Sequence, residues 1–125
     1  GECEVTVMKL QSGIEACREG KLRYLCMFSD QSVDSLPDVP PITEYYPAFS
    51  EFLPWGPFYG VFVKKGTDTA VVSDLSEGFR KAYAEDSYQS LLNDLYVQPL
   101  GLVGEEADSY IEAWRMASLK ALNLG

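Results

Sequence analysis

The sequence has 125 residues, 46% of them hydrophobic and 13% aromatic, which is enough for the core of one domain and too apolar for intrinsic disorder. Its 19 acidic and 10 basic residues give a net charge of −9, and such an acidic chain repels phosphate, so no nucleic-acid partner is expected. The sequence contains no histidine, which excludes Ser-His-Asp and Cys-His catalysis within this chain, and its three cysteines lack the spacing of a zinc site.

The sequence indicates no membrane-spanning segment, no catalytic carboxylate and no metal site. No apolar run approaches the roughly 18 residues that cross a bilayer, and no signal-peptide pattern is present. Asp30, Asp34 and Asp38 recur every four residues, but a calcium loop needs closer ligands and a central glycine. We interpret them as solvated loop acids, and we predict no catalytic residue, no metal and no cofactor. The redox state of the cysteines stays open: Cys3, Cys17 and Cys26.

The first part of the chain predicts a strand, a short helix and a second strand. Residues 4–8 carry β-branched side chains in alternation, and residues 22–28, LRYLCMF, are almost entirely apolar. Between them, residues 10–18 have apolar side chains at helical spacing, and Gly20 suits the position that follows a helix. This arrangement has the size of a compact βαβ crossover in a parallel sheet.

A long irregular segment follows the second predicted strand. Six of the seven prolines lie between Pro37 and Pro57, and a loop of this length usually carries function or bridges two parts of a protein. Seven aromatic side chains also crowd residues 45–59. They can form a stacking surface for a ligand, or they can pack the loop onto the core, and we favour the second interpretation.

The second half of the chain predicts two more strands and three more helices. The strands are predicted over residues 58–63, FYGVFV, and over residues 96–100. Apolar stripes and capping residues predict helices near residues 70–84, 87–95 and 105–122. The order β-α-β-loop-β-α-α-β-α is typical of an α/β fold with a mostly parallel sheet flanked by helices.

Four phrases of the sequence, in this order, resemble segments of one known family. They are GECEV with REGKLRYLCMFS, then LPDVPPITEYYP, then WGPFYGVFVKKGTDTAVVSDL, and last SLLNDLYVQPLGL with YIEAWRMASLKAL. Each is similar to a segment of the substrate-binding proteins of tripartite tricarboxylate transporters, the Bug receptor family. The resemblance covers essentially the whole chain.

The resemblance implies a periplasmic receptor with two hinge-linked lobes of the type II periplasmic-binding-protein fold. Such a receptor captures a small carboxylate or amino acid and passes it to membrane components of the transporter. Chains of this family are usually much longer, so we expect the C-terminal half of a receptor, with a signal peptide outside it and a tendency to pair with itself. Residues 1–30 would form the end of one lobe and the hinge. Residues 31–57 would be the connector, and residues 58–125 would form the remainder of the other lobe.

The candidate ligand-binding residues follow the first two predicted strands. In α/β lobes the cleft lies at the carboxyl ends of the strands, which places Lys9, Gln11 and Ser12 after the first strand and Ser29 after the second. Together they offer one positive charge, an amide and two hydroxyls to a carboxylate. The family often has an Asp-Asn pair where this sequence has Met8 and Lys9, and an exposed loop lysine is the alternative interpretation of Lys9.

Two functions are compatible with these observations. The first is the solute-binding receptor of a tripartite tricarboxylate transporter. The second is a stand-alone interaction or structural domain that keeps the fold without a complete ligand pocket. An enzyme is not predicted, because no nucleophile–base pair is present. Four ligand residues are too few to enclose a carboxylate, so the chain alone is expected to bind weakly or not at all.

Overall fold

A computed structural model describes residues 3–123 as a series of helices joined by irregular segments. The helices are α1 (Leu10–Arg18), α2 (Ile42–Tyr45), a 3₁₀ helix (Pro47–Phe52), α3 (Thr69–Tyr83), α4 (Asp86–Asp94) and α5 (Glu105–Ala121). Extended pairing within this range is limited to two isolated bridges, one between Met27 and Pro41 and one between Val33 and Leu36.

The predicted α/β fold with a mostly parallel sheet is wrong for this structure. The segments predicted as strands form none: residues 4–8, 22–28, 58–63 and 96–100. Within these four segments, Met27 makes ladder-like bonds, since its N–H donates to Pro40 at 2.9 Å and its carbonyl accepts from Ile42 at 2.7 Å. β-branched and apolar runs indicate a local preference, but a strand also needs a neighbouring strand to pair with. Residues 3–123 supply no such neighbour, so a type II periplasmic-binding lobe is not supported.

The helix predictions are confirmed to within a residue or two, because the signals that begin and end these helices are local. Asp68 caps α3 by accepting a hydrogen bond from the N–H of Ala70 at 2.8 Å. Gly20, with φ of 73°, follows α1 in the left-handed conformation. The N–H groups of Gly20 and Lys21 donate back to Cys17 and Ala16, which is the Schellman ending that the glycine predicted.

Buried side chains form small clusters instead of one central core. Among the described residues, the buried apolar side chains are Val33, Ile42 and Ala117. Phe28 stacks on Phe49 at 5.3 Å between ring centroids, and Trp55 lies 6.1 Å from both rings. These contacts confirm that part of the aromatic segment packs onto the protein.

A second aromatic cluster holds the segment after the 3₁₀ helix against α5. Phe58 contacts Trp114 edge-on at 5.1 Å and Tyr110 at 6.0 Å. Burial raises the pKa of the Tyr110 hydroxyl above its usual value, which agrees with a position inside this cluster. The remaining aromatic side chains of the predicted cluster are exposed: Tyr45, Tyr46 and Tyr59.

Candidate functional site

The first turn of α1 is an uncapped helix start with a positive side chain beside it. Lys9 occupies the N-cap position with extended backbone, its side chain makes no capping bond, and the turn contains no acidic residue. Ser12 donates its N–H to the carbonyl of Lys9 at 3.0 Å. The N–H groups of Leu10 and Gln11 have no hydrogen-bond partner within residues 3–123. Such a helix start carries partial positive charge and can receive an anion.

Three of the four predicted ligand residues lie together in this turn. Lys9 is exposed and forms no ion pair with any described residue, and Ser12 is exposed as well. The Gln11 side chain is engaged elsewhere, because its Nε2 donates to the carbonyl of Tyr96 at 3.2 Å. Lys9 and Ser12 therefore have polar groups available to a ligand, whereas Gln11 offers mainly its backbone N–H.

The structure does not bring the fourth predicted residue, Ser29, to that turn. Ser29 is half-buried in the loop after the second predicted strand, and its hydroxyl donates to the carbonyl of Gln31 at 2.7 Å. No hydrogen bond joins it to α1 in the described part of the chain. Without a sheet, the two strand ends that were predicted to face one cleft have no common edge.

Tyr96 is a residue of this region that the sequence analysis missed as a functional candidate. It has φ of 51° and occupies the left-handed position after α4, where its N–H and that of Val97 donate back to Asn93 and Leu92. This is a Schellman ending in which a tyrosine replaces the usual glycine. The segment predicted as a strand, residues 96–100, therefore begins with the residue that ends α4, and it does not form a strand.

Tyr96 contacts α1 at both ends of the helix. Its carbonyl accepts from Gln11 in the first turn, and its hydroxyl accepts from Arg18 Nη2 in the last turn at 2.6 Å. The Arg18 guanidinium also lies 5.7 Å from the tyrosine ring centroid. Hydrogen bonds to Tyr96 and Glu15 raise the pKa of Arg18. The only sequence signal is that Gln11 and Arg18 lie on one helix face, seven residues apart.

A groove of about 230 Å³ separates α1 from the end of α4. It is lined by Gln11, Ile14, Glu15, Arg18, Asp94, Leu95 and Tyr96. Two carboxylates lie beside one guanidinium here, and Glu15 already pairs with Arg18 at 2.7 Å. An anionic ligand therefore gains little charge attraction in this groove compared with the first turn of α1.

A larger groove of about 450 Å³ runs between the 3₁₀ helix and α5. Its lining residues are Glu51, Leu53, Ala113, Met116, Ala117, Leu119, Lys120 and Asn123. The Lys120 ammonium pairs with Glu51 and lies 5.3 Å from the centroid of Phe52. This hydrogen bond holds the pKa of Glu51 below its ordinary value. The positive charge of Lys120 in this groove is therefore already paired with the carboxylate of Glu51.

No metal cluster or membrane-spanning helix occurs in the described range. No three His, Cys, Asp or Glu side chains of residues 3–123 are placed to hold a metal ion. None of the helices in the same range combines the length and apolar character needed to cross a bilayer. All three cysteines are free thiols.

The first turn of α1 offers a positive side chain, Lys9, and backbone N–H groups that have no partner within residues 3–123. The family model described as "Tripartite tricarboxylate transporter family receptor" matches residues 1–114. The chain therefore belongs to the receptor family of tripartite tricarboxylate transporters, as the four phrases of its sequence indicated. This is a family of solute-binding proteins, which suggests a non-enzymatic role. No curated protein and no solved structure matches the chain.

Proposed function

We propose that this receptor captures a small carboxylate and that the first turn of α1 contacts the carboxylate group. Receptors of this family serve tripartite tricarboxylate transporters, which supports an anionic ligand. The observation that carries the proposed site is the combination of Lys9 with the N–H groups of Leu10 and Gln11, which have no hydrogen-bond partner within residues 3–123. The family match favours this role over that of a structural or interaction domain.

The charge distribution supports the choice of this turn. The chain has a net charge of −9, so most of its surface repels an anion. The first turn of α1 contains no acidic residue, and Lys9 is not neutralised by any described carboxylate. The helix dipole adds to the charge of Lys9 at the same place.

Each ligand residue has a distinct role in this proposal. The Lys9 ammonium donates a charge-assisted hydrogen bond to one carboxylate oxygen, and the N–H groups of Leu10 and Gln11 donate to the other. The Ser12 hydroxyl contacts a further polar group of the ligand. Ser29 lies in a separate loop, where its hydroxyl donates to the carbonyl of Gln31. It would contact the ligand only if the ligand extended from α1 to that loop.

We also propose the cellular setting and the division of the chain. Receptors of this family are periplasmic, so we place this chain in the periplasm with the membrane components of the transporter as partners. Residues 31–57 would connect residues 1–30 with residues 58–125 as parts of a two-lobed receptor. The contact of the 3₁₀ helix with α5, together with the stacking of Phe49 on Phe28, supports a connecting role for that segment.

Calorimetric titration with a panel of dicarboxylates, tricarboxylates and amino acids tests the proposed site. We expect weak binding of at least one carboxylate by the 125-residue chain, and we expect Lys9→Ala to weaken it by about tenfold, because a charge-assisted bond is lost. Lys65→Ala is the matched control, since Lys65 is also exposed and forms no ion pair with a described residue. Equal loss in both variants, or no binding across the panel, would contradict the proposal.

A further inference from the structure

Tyr96 has a backbone conformation that glycine normally adopts. Its φ is 51° at the position that follows the end of α4, and Asn123 has φ of 53° at the equivalent position after α5. Asparagine tolerates this left-handed conformation better than most residues, whereas a bulky side chain is rare there. A tyrosine in this position therefore carries a steric cost that glycine would not have. A cost of this kind points to a functional reason for keeping the side chain.

Tyr96 is the long-range partner of α1. Within residues 3–123, both hydrogen bonds that join α1 to a distant part of the sequence end at Tyr96, one from Gln11 and one from Arg18. None of the other described helices comes into close backbone contact with α1. The Arg18 guanidinium is positively charged, so its 2.6 Å bond to the Tyr96 hydroxyl is of the stronger, charge-assisted kind. Tyr96 therefore anchors α1 to the rest of the described chain.

α1 is short enough to need such an anchor. It has nine residues, and isolated helices shorter than about 12–15 residues are marginally stable in water. Its first turn has neither a side-chain cap nor an acidic residue, either of which would stabilise a helix start. The bond from Gln11 Nε2 to the Tyr96 carbonyl holds the first turn, and the bond from Arg18 to the Tyr96 hydroxyl holds the last turn. These two contacts favour the helical state of the whole segment.

We propose that Tyr96 is a positioning residue for ligand binding, because it keeps the first turn of α1 in the conformation that receives the carboxylate. This role rests on the proposed function of that turn. Tyr96 does not touch the ligand; it raises the fraction of molecules in which the N–H groups of Leu10 and Gln11 belong to a formed helix start. The apparent dissociation constant equals the intrinsic constant divided by that fraction, so the affinity falls when the helix opens.

Tyr96→Gly separates this role from a purely structural one. Glycine adopts the left-handed conformation without steric cost, so the end of α4 should remain intact and the midpoint of urea unfolding should not fall. The contacts with Arg18 are lost, so the affinity for a carboxylate should weaken by about fivefold. The ¹³Cα chemical shifts of residues 10–18 should also show less helix in the unliganded chain. A fall of the unfolding midpoint together with the affinity would mean that Tyr96 only stabilises the fold, and would overturn the proposal.

The affinities are measured by amide chemical-shift titration with citrate, succinate and free glutamate, one member of each class of the carboxylate panel. Asn123→Gly is the matched control, because it makes the same backbone change after α5 and no described hydrogen bond joins Asn123 to α1. It should leave the affinity unchanged. Tyr96→Phe keeps the backbone and the ring and removes only the hydroxyl, so it should weaken binding by about threefold.

The outcomes distinguish the role of Tyr96 from the proposed function itself. A wild type that binds a carboxylate with an affinity that neither Tyr96 variant lowers would overturn the role of Tyr96 and leave the proposed function intact. An equal loss of affinity in Asn123→Gly would overturn that role as well. A wild type that binds none of the three carboxylates would contradict the proposed function and, with it, the role of Tyr96.

Discussion

The indole N–H of Trp114 donates to the carbonyl of Gly56 at 2.7 Å, and Phe58 packs on the same ring. This residue joins α5 to a segment far away in the sequence, and it does so through one hydrogen bond and one aromatic contact. Few such long-range side-chain bonds occur in residues 3–123. Single residues therefore have a large share in fixing how the helices are arranged.

Replacing Trp114 by phenylalanine should lower the free energy of unfolding by about 1 kcal/mol, because the hydrogen bond to Gly56 is lost while most of the apolar contact remains. The other tryptophan, Trp55, is partly exposed and its indole N–H makes no hydrogen bond within the described residues, so Trp55→Phe is the control and should cost less. Urea unfolding followed by circular dichroism measures both values. An equal cost in the two variants would show that the Gly56 bond does not stabilise the fold.

The candidate site was only partly predictable from single residues. Lys9, Gln11 and Ser12 are neighbours in sequence, so a helix that begins at Leu10 necessarily brings them together. The prediction for Ser29 depended on the edge of a sheet, and that sheet does not form. Tyr96 was missed because its contacts to α1 span about eighty residues of sequence and no local pattern records them. The bond from Gln11 to Tyr96 also changes the expected role of Gln11, whose amide nitrogen is no longer free.

At the scale of elements, helices were predictable and strands were not. Capping residues and apolar spacing act within one helix, so α1, α3, α4 and α5 agree with the sequence prediction. A strand requires hydrogen bonds to a second segment, and that pairing is not encoded in the run FYGVFV itself. In the part of the chain that the structure describes, this run is largely exposed and its backbone makes no hydrogen bond.

The contact between α5 and the 3₁₀ helix should depend on pH through Glu51. Its hydrogen bond to Lys120 lowers the pKa of the folded carboxylate below the ordinary value of 4.5. A group with a lowered folded pKa stabilises the fold above its unfolded pKa, and this contribution disappears as the pH falls through the folded pKa. Below that point Lys120 should leave the Phe52 ring, which shifts the ring proton resonances of Phe52.

Proton NMR across the acid range measures this transition. We expect its midpoint below pH 4.5 in the wild type, and we expect Glu51→Gln to abolish it. Glu112→Gln is the control, because Arg115 lowers the pKa of Glu112 in the same direction but both residues lie within α5. Loss of the Phe52 transition in Glu112→Gln would contradict this description of the contact. A midpoint pH above the ordinary pKa of a glutamate would contradict it as well.

At the scale of the whole molecule, the chain is a receptor-family protein whose described residues, 3–123, have little buried core. Its family membership rests on the match over residues 1–114. The sequence led to the correct family but to the wrong architecture. The family is recognisable from short segments that occur in order along the chain. The predicted sheet requires hydrogen bonds between distant segments, and residues 3–123 do not form them.

The central claim is that the first turn of α1 receives the ligand carboxylate. The most direct test is a titration of the ¹⁵N-labelled chain with the carboxylate panel, followed by amide chemical shifts, because this measurement detects weak binding and locates it. We predict that the largest shifts occur at Leu10, Gln11 and Ser12 and that Lys9→Ala reduces them. Shifts concentrated at the Glu51–Lys120 groove, or no shifts with any carboxylate, would contradict the claim.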